Sequence, residues 1–303
     1  MELGVLFGLS AAICWGVADF FARGATRTAG TFLTLLGLNA VSTAALLLIF
    51  GPLGMLDFSG ISAGVILAAA ALNLGIMAGA ALLYRAFAIG TLAIVSPISS
   101  SFAAVTALLA ILTDEHPSIA QSLGIIFALG GVLLVSLVPG HPLHVPSHYI
   151  HLGPIRLAPG LLEATFSMLI FGVTYWALRY VVAALGGIRT AFVGKVSDLA
   201  LLTLIAGVIL LWRARKSSGS ILPAFNRRRF AVFVVPNALL DTTANVAYNL
   251  GVTVALTSVV AVLSSLYTAV TVLLAAIFLH ERLSRWQLLG ILSIFTGIVL
   301  VSL

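Results

Sequence analysis

The chain has 303 residues, 61% of them hydrophobic and 8% charged, with a formal net charge of +6. Soluble domains carry about 25% charged residues, so too few polar groups are present to cover a water-soluble core, and the composition reads as a polytopic membrane protein. The single cysteine, Cys14, excludes an internal disulfide and a cysteine-based metal site. The basic balance does not point to nucleic acid, because the Lys and Arg residues sit between apolar runs, where membrane topology explains them.

A bilayer core needs roughly 20 apolar residues per helix, and reading between polar breaks predicts ten spans. The first, 3–22, has no basic region before its apolar run and is read as a span rather than a cleavable signal. It carries Trp15, a candidate for stacking on a substrate, and Asp19, read with Arg23 as a helix-end pair four residues apart. Span two, 31–50, carries Asn39, and span three, 61–84, carries Asn73 and Tyr84. Spans four and five follow at 92–112 and 119–138; the serines and small residues of span four read as packing positions.

The loop 139–157 is rich in His and Pro: His141, His144, His148 and His151 stand among Pro142, Pro146 and Pro154. The imidazoles have a spacing that suits a transition metal, but the prolines oppose a helix and no carboxylate accompanies them, so a solvated linker without metal is expected. Span six, 158–180, carries Tyr175 and Trp176. Span seven, 190–212, carries Lys195 and Asp198, three residues apart on one helical face and read as a self-neutralising pair or a cavity wall. Span eight, 230–251, carries Asp241, Asn245, Tyr248 and Asn249 at i, i+4, i+7 and i+8, a polar stripe of the kind that lines water or a substrate path. An unpaired Asp at that depth makes Asp241 the candidate carrier of a proton or another cation. Spans nine, 254–279, and ten, 286–303, complete the series, with Tyr267 in span nine.

The chain also repeats itself. "SSSFAAVTALLA" (99–110) returns as "SSLYTAVTVLLA" (264–275), at an offset of 165. With one inserted residue the match continues: Glu115 meets Glu281, Gly124 meets Gly290 and Gly131 meets Gly297. At the front of each half Gly4, Gly16 and Arg23 meet Gly160, Gly172 and Arg179, at an offset of 156. The unit is five spans, an odd number, so the second copy enters from the opposite side. The expected fold is all-α: ten transmembrane helices as two inverted five-helix repeats (1–138 and 158–303, joined by 139–157), an arrangement common in secondary transporters. The shared residues of the echo read as packing scaffold. The mismatches Ser101/Leu266, Phe102/Tyr267 and Ala103/Thr268 are where a substrate is expected to be read.

The segments "SSLYTAVTVLLAAIFLHERLSRWQLLGILSIFTGIVLVSL" (264–303) and "SSSFAAVTALLAILTDEHPSIAQSLGIIFALGGVLLVSL" (99–137) resemble the ends of EamA-type domains. Two such domains in tandem resemble the drug/metabolite transporter superfamily, over nearly the whole chain. The first half departs from the pattern at "TDEHPS" (113–118), where the second keeps "HERLS". The related small multidrug pumps use a glutamate midway along their first span; here that level holds Ile13 and Cys14, and Leu169 and Ile170 in the second half. The resemblance implies a small-molecule exporter with spans three, four, eight and nine around a central cavity.

The function these readings support is secondary transport of a small metabolite, an amino acid or analogue, by export across an inner (plasma) membrane, coupled to protons or another cation. An uncoupled facilitator or a drug exporter is the alternative within the fold. No Walker-type motif and no paired catalytic motif at bilayer depth appears, so no enzyme and no cofactor is expected, and a scaffold would not need charges at membrane depth. The Lys and Arg residues crowd the loops after odd-numbered spans, which by the positive-inside rule places both termini outside.

Overall fold

The structure, a computed structural model, describes residues 2–90, 92–136, 150–152, 155–157, 159–215, 225–279 and 285–302. Its elements in order are α1 (Glu2–Ala29), α2 (Thr31–Phe50), α3 (Ala63–Ile89), α4 (Leu92–Ser100), α5 (Phe102–Thr113), α6 (Ile119–Ser136), β1 (Ile150–Leu152), β2 (Ile155–Leu157), α7 (Leu161–Leu185), α8 (Gly187–Arg215), α9 (Arg227–Val254), α10 (Thr257–Ser265), α11 (Tyr267–Leu279) and α12 (Arg285–Ser302). Apolar runs of this length become helices because hydrocarbon offers no partner to a backbone N–H or C=O, and a helix pairs them internally. Among the described residues six helices are long and apolar enough to cross a membrane: α1, α2, α3, α7, α8 and α9.

Several helices outrun the predicted spans. α1 continues from 22 to Ala29, past its apolar stretch, and Thr28 Oγ1 donates to the Gly24 carbonyl at 2.7 Å. Only one residue, Gly30, separates α1 from α2, and only Gly186 separates α7 from α8. Both take a positive φ, 83° and 84°, which a side chain would strain. They stand at the offset of 156 that relates the two halves, a correspondence the other glycines already carried.

Predicted spans four and nine are each two helices. The chain breaks at Ser101 between α4 and α5 and at Leu266 between α10 and α11, equivalent positions inside the echo. Ser101 N donates to Ile98 O at 3.2 Å and Leu266 N to Leu263 O at 3.2 Å, so each break is a tightened turn of i→i−3 bonds. Composition does not change at either point, and hydropathy therefore reads straight through them.

The two copies of the echo do the same packing work on opposite partners. A Cβ on Gly16 would lie 2.6 Å from Val270 Cβ, and one on Gly172 2.5 Å from Val105 Cβ. Thr106 Oγ1 donates to the Gly172 carbonyl at 2.9 Å, and Thr271 Oγ1 to the Gly16 carbonyl at 3.3 Å. Small residues at these crossings let backbones approach, as membrane helices require. The same exchange holds for whole elements: α1 packs along α9 as α7 packs along α3, α1 meets α11 as α7 meets α5, and α2 meets α9 as α3 meets α8. α6 and α12 pack on each other, with Gly131 against the Gly290 carbonyl and Gly297 against the Gly124 carbonyl. Within the echo, the shared Val105/Val270 and Thr106/Thr271 are packing positions.

In the linker, β1 and β2 form an antiparallel hairpin with His151 opposite Arg156. His141, His144 and His148 lie outside the described residues. Strands of three residues are far shorter than the 9–11 a membrane strand needs.

Candidate substrate site

One cavity collects most of the polar and aromatic residues singled out in sequence. Its walls come from α1, α2, α3, α5, α7, α8, α9 and α11. The resemblance implies spans three, four, eight and nine around the cavity; spans one, two, six and seven, which also carry candidate residues, contribute as much, because α1 and α7 cross to pack on the opposite half. Of the residues singled out in sequence, Trp15, Asn39, Asn73, Tyr84, Tyr175, Lys195, Asp198, Asp241, Asn245 and Tyr267 line it. The water-accessible space within it is about 80 Å³.

The charged residues pair differently from the sequence expectation. Lys195 Nζ donates to Asp241 Oδ2 at 2.6 Å, from α8 to α9, and not to Asp198 one turn away. Both partners are mostly buried, 12% and 18% exposed. Asp241 is therefore a paired carboxylate and not the unpaired one the stripe implied. Asp198 is buried, and its Oδ1 has no hydrogen-bond partner.

Asp19, read in sequence as half of a helix-end pair with Arg23, is a buried cavity residue whose Oδ2 has no partner. The signal that locates it was present: Trp15 and Asp19 are four apart, so a face that turns Trp15 inward turns Asp19 inward too. Phe102 and Phe171 also line the cavity. Phe102 and Tyr267 are a matched pair from the echo, so that one mismatch does fall at the cavity. Thr268 instead donates to the Ser96 carbonyl at 3.3 Å, outside it.

The asparagines share one habit. Asn39, Asn73 and Asn245 each donate Nδ2 to the carbonyl four residues earlier, at 3.0, 2.8 and 2.7 Å. That bond ties up the donor end and leaves Oδ1 as the end available to a partner. Asn245 Oδ1 accepts from the Tyr175 hydroxyl at 3.4 Å. Tyr84 exchanges hydrogen bonds with Asn237 at 3.2 and 3.3 Å, a partner the sequence did not reveal. The aromatic wall centres on Trp15, whose ring centroid lies 5.9 Å from Tyr175, 6.4 Å from Phe102 and 6.4 Å from Tyr267.

Three predicted site residues stand outside the cavity. Tyr248 is packed behind its wall, 4.7 Å from the Tyr175 ring and 5.8 Å from Trp15. Asn249 donates to the Gly187 carbonyl at 3.3 Å. The polar stripe of α9 outlasts the cavity by about one turn, and its far end serves packing. Trp176 donates Nε1 to Thr113 Oγ1 at 3.2 Å, at one end of the bundle.

That end, where the first half departs from the repeat pattern, holds a charged cluster. Glu115, buried, accepts from Thr257 N at 2.7 Å, Ser258 N at 2.9 Å and Arg179 at 3.0 Å. It caps the N-terminus of α10, where the helix dipole favours an anion. Asp114 also pairs with Arg179, whose guanidinium holds the Asp114 carboxyl below the usual range. Among the described residues no group of three His, Cys, Asp or Glu is placed to hold a metal.

The model of the EamA-like transporter family matches residues 2–137 and 158–303. A solved structure described only as "Crystal structure of protein" superposes with a TM-score of 0.70 at 16% identity, over 99% of this chain and 96% of that one. It establishes a shared fold. No curated protein matches the chain.

Proposed function

The chain belongs to the EamA-like transporter family, two copies of whose domain cover nearly all of it, and from that premise we propose that it is a secondary transporter. It moves a small polar metabolite carrying an amino group, an amino acid or analogue, by alternating access, in the direction of export. The observation that carries this reading is a cavity among the long apolar helices, lined from both halves by Asp19, Lys195, Asp198 and Asp241 together with aromatic side chains. Charges at membrane depth are costly unless a path or a partner needs them.

Ten spans in two inverted repeats, 1–138 and 158–303, account for the duplicated packing. If each copy supplies the same contacts to the other, exchanging their roles gives two forms of similar energy, open to opposite sides. Lys195 and Asp241 suit the switching part: a substrate or a proton that reaches Asp241 releases Lys195, and the pair re-forms when the cargo leaves.

The test is counterflow by the purified protein in liposomes over a panel of amino acids, sugars and drugs. Saturable exchange of an amino-bearing metabolite is expected, and no flux for any member ends the transport reading. Orientation follows from charge. The Lys and Arg residues crowd the loops after odd-numbered spans, opposite the termini, which supports placing both termini outside. A reporter enzyme active only outside the membrane, fused at Leu303, is expected to be active; an inactive fusion reverses the orientation.

A further inference from the structure

On the transport reading above, the cavity holds more acid than base, and its unsatisfied atoms are all of one kind. Asp19, Asp198 and Asp241 line it, and Lys195 is the one basic residue among the lining residues. Lys195 is engaged by Asp241 at 2.6 Å. Asp19 and Asp198 are each 7% exposed, and Asp19 Oδ2 and Asp198 Oδ1 are buried without a hydrogen-bond partner. Asn39, 1% exposed, adds a third such atom. Its Nδ2 donates to the Leu35 carbonyl, which only the nitrogen can do, so the oxygen is the free end, and that oxygen also has no partner.

Among the lining residues these three are the buried side-chain atoms left unpaired, and all three are acceptors. They come from α1, α2 and α8. Buried acceptors are normally matched by a donor. An ammonium group offers three N–H donors, a positive charge and no acceptor. A bound carboxylate offers the opposite: it adds acceptors to a site that lacks donors, and the one cation present is already held by Asp241. Trp15 stands one helical turn before Asp19, with the Tyr175, Phe102 and Tyr267 rings about it, and aromatic faces attract cations while receiving an apolar body.

We infer that the cavity selects small organic amines as cations, with the ammonium received by Asp19, Asp198 and Asn39, the apolar body set against Trp15, and a free carboxylate on the ligand unfavourable. The substrate class is thus amines and amino-acid derivatives without a free carboxylate, ahead of the zwitterionic amino acids themselves.

The experiment uses matched triplets built on alanine, leucine and phenylalanine: the amide, the amino acid and the deaminated acid. Binding to the full chain in detergent and counterflow in liposomes are measured at about pH 6.5, below the α-amino range, so the amides are cations. In at least one triplet the amide is expected to bind tenfold or more tighter than the amino acid, with no binding of the deaminated acid. Asp19→Asn and Asp198→Asn each weaken amide binding tenfold or more, and Asp198→Glu recovers most of it. The comparison among ligands on the unaltered protein stands whether or not a variant folds. Equal or tighter binding of the amino acid overturns the inference, as does binding of no amide. Displacement of the amide by millimolar Na⁺ or K⁺ overturns it too, by making the site one for inorganic cations. Flux of zwitterions without preference for amides leaves transport standing and removes this inference. Selective amide binding with no flux of any compound does the reverse.

Discussion

Lys195 and Asp241 meet at 2.6 Å between two helices, in surroundings that leave each mostly out of solvent. Removing one member of a buried pair strands the other charge, at a cost of about 3–5 kcal/mol, while removing both is far cheaper. Lys195→Met is therefore expected to lower the unfolding temperature in detergent, and the double variant Lys195→Met with Asp241→Asn to recover at least half of that loss. Losses that add instead would show that the pair does not exist in the folded protein. Asp114 gives a second test, at the exposed end of the bundle. Arg179 lowers its carboxyl pKa in the folded state, so its contribution is present above the ordinary carboxylate value near pH 3.9 and is lost as pH falls through the lowered folded value. The wild-type advantage over Asp114→Asn is expected to be constant from neutral pH down to about pH 4 and to vanish below it; an advantage that grew on acidification would contradict the assignment. Ten of the thirteen residues chosen from sequence line the cavity because depth in an apolar run is legible from composition alone. Partners were not. Sequence shows neighbours on one helix, so Lys195 was matched to Asp198 and Asp19 to Arg23. The actual partner, Asp241, is 46 residues from Lys195, and nothing in spacing reveals it.

Helices were legible wherever the apolar run and the helix coincide. α2 spans Thr31–Phe50 as read, and α3 and α9 differ only at their ends, where capping residues such as Ser62 and Asn226 set the start. The breaks at Ser101 and Leu266 were illegible because they alter hydrogen bonding without altering hydropathy. Glycine is the residue by which these elements fit. Gly16 and Gly172 lie so close to Val270 and Val105 that an added methyl overlaps a neighbouring side chain. Gly16→Ala and Gly172→Ala are each expected to lower the unfolding temperature by several degrees, by the same mechanism in the two halves. Gly207, inside α8 with nothing within 4 Å of its absent side chain, is the matched control. Gly207→Ala is expected to be neutral or stabilising by up to about 1 kcal/mol, since alanine loses less backbone entropy in a helix. Equal losses at all three positions would mean that glycine matters here for propensity or flexibility and not for close approach.

At the scale of the whole chain, the alternating-access reading proposed above gives the duplicated packing two forms, and something must hold one of them. Glu115 is the strongest tie seen between the halves at its end of the bundle. It lies after α5 of the first half, and its carboxylate takes both leading N–H groups of α10 in the second half as well as Arg179. Its equivalent in the repeat, Glu281, lies outside the described residues. On that reading this end opens at some stage, and opening it requires the Glu115 bonds to break. Glu115→Gln keeps the size of the side chain but removes the charge that matches Arg179 and the helix dipole, so it is expected to favour the form open at this end. Ser258 is wholly buried beside the contact, and Cys14 is the only native cysteine. In a Cys14→Ser background with Ser258→Cys, Glu115→Gln is expected to speed alkylation by a membrane-impermeant maleimide several-fold, and a saturating substrate to change that rate further. An unchanged alkylation rate, in a variant that still unfolds cooperatively, would mean that Glu115 stabilises both forms equally, and the tie would be part of the fixed frame.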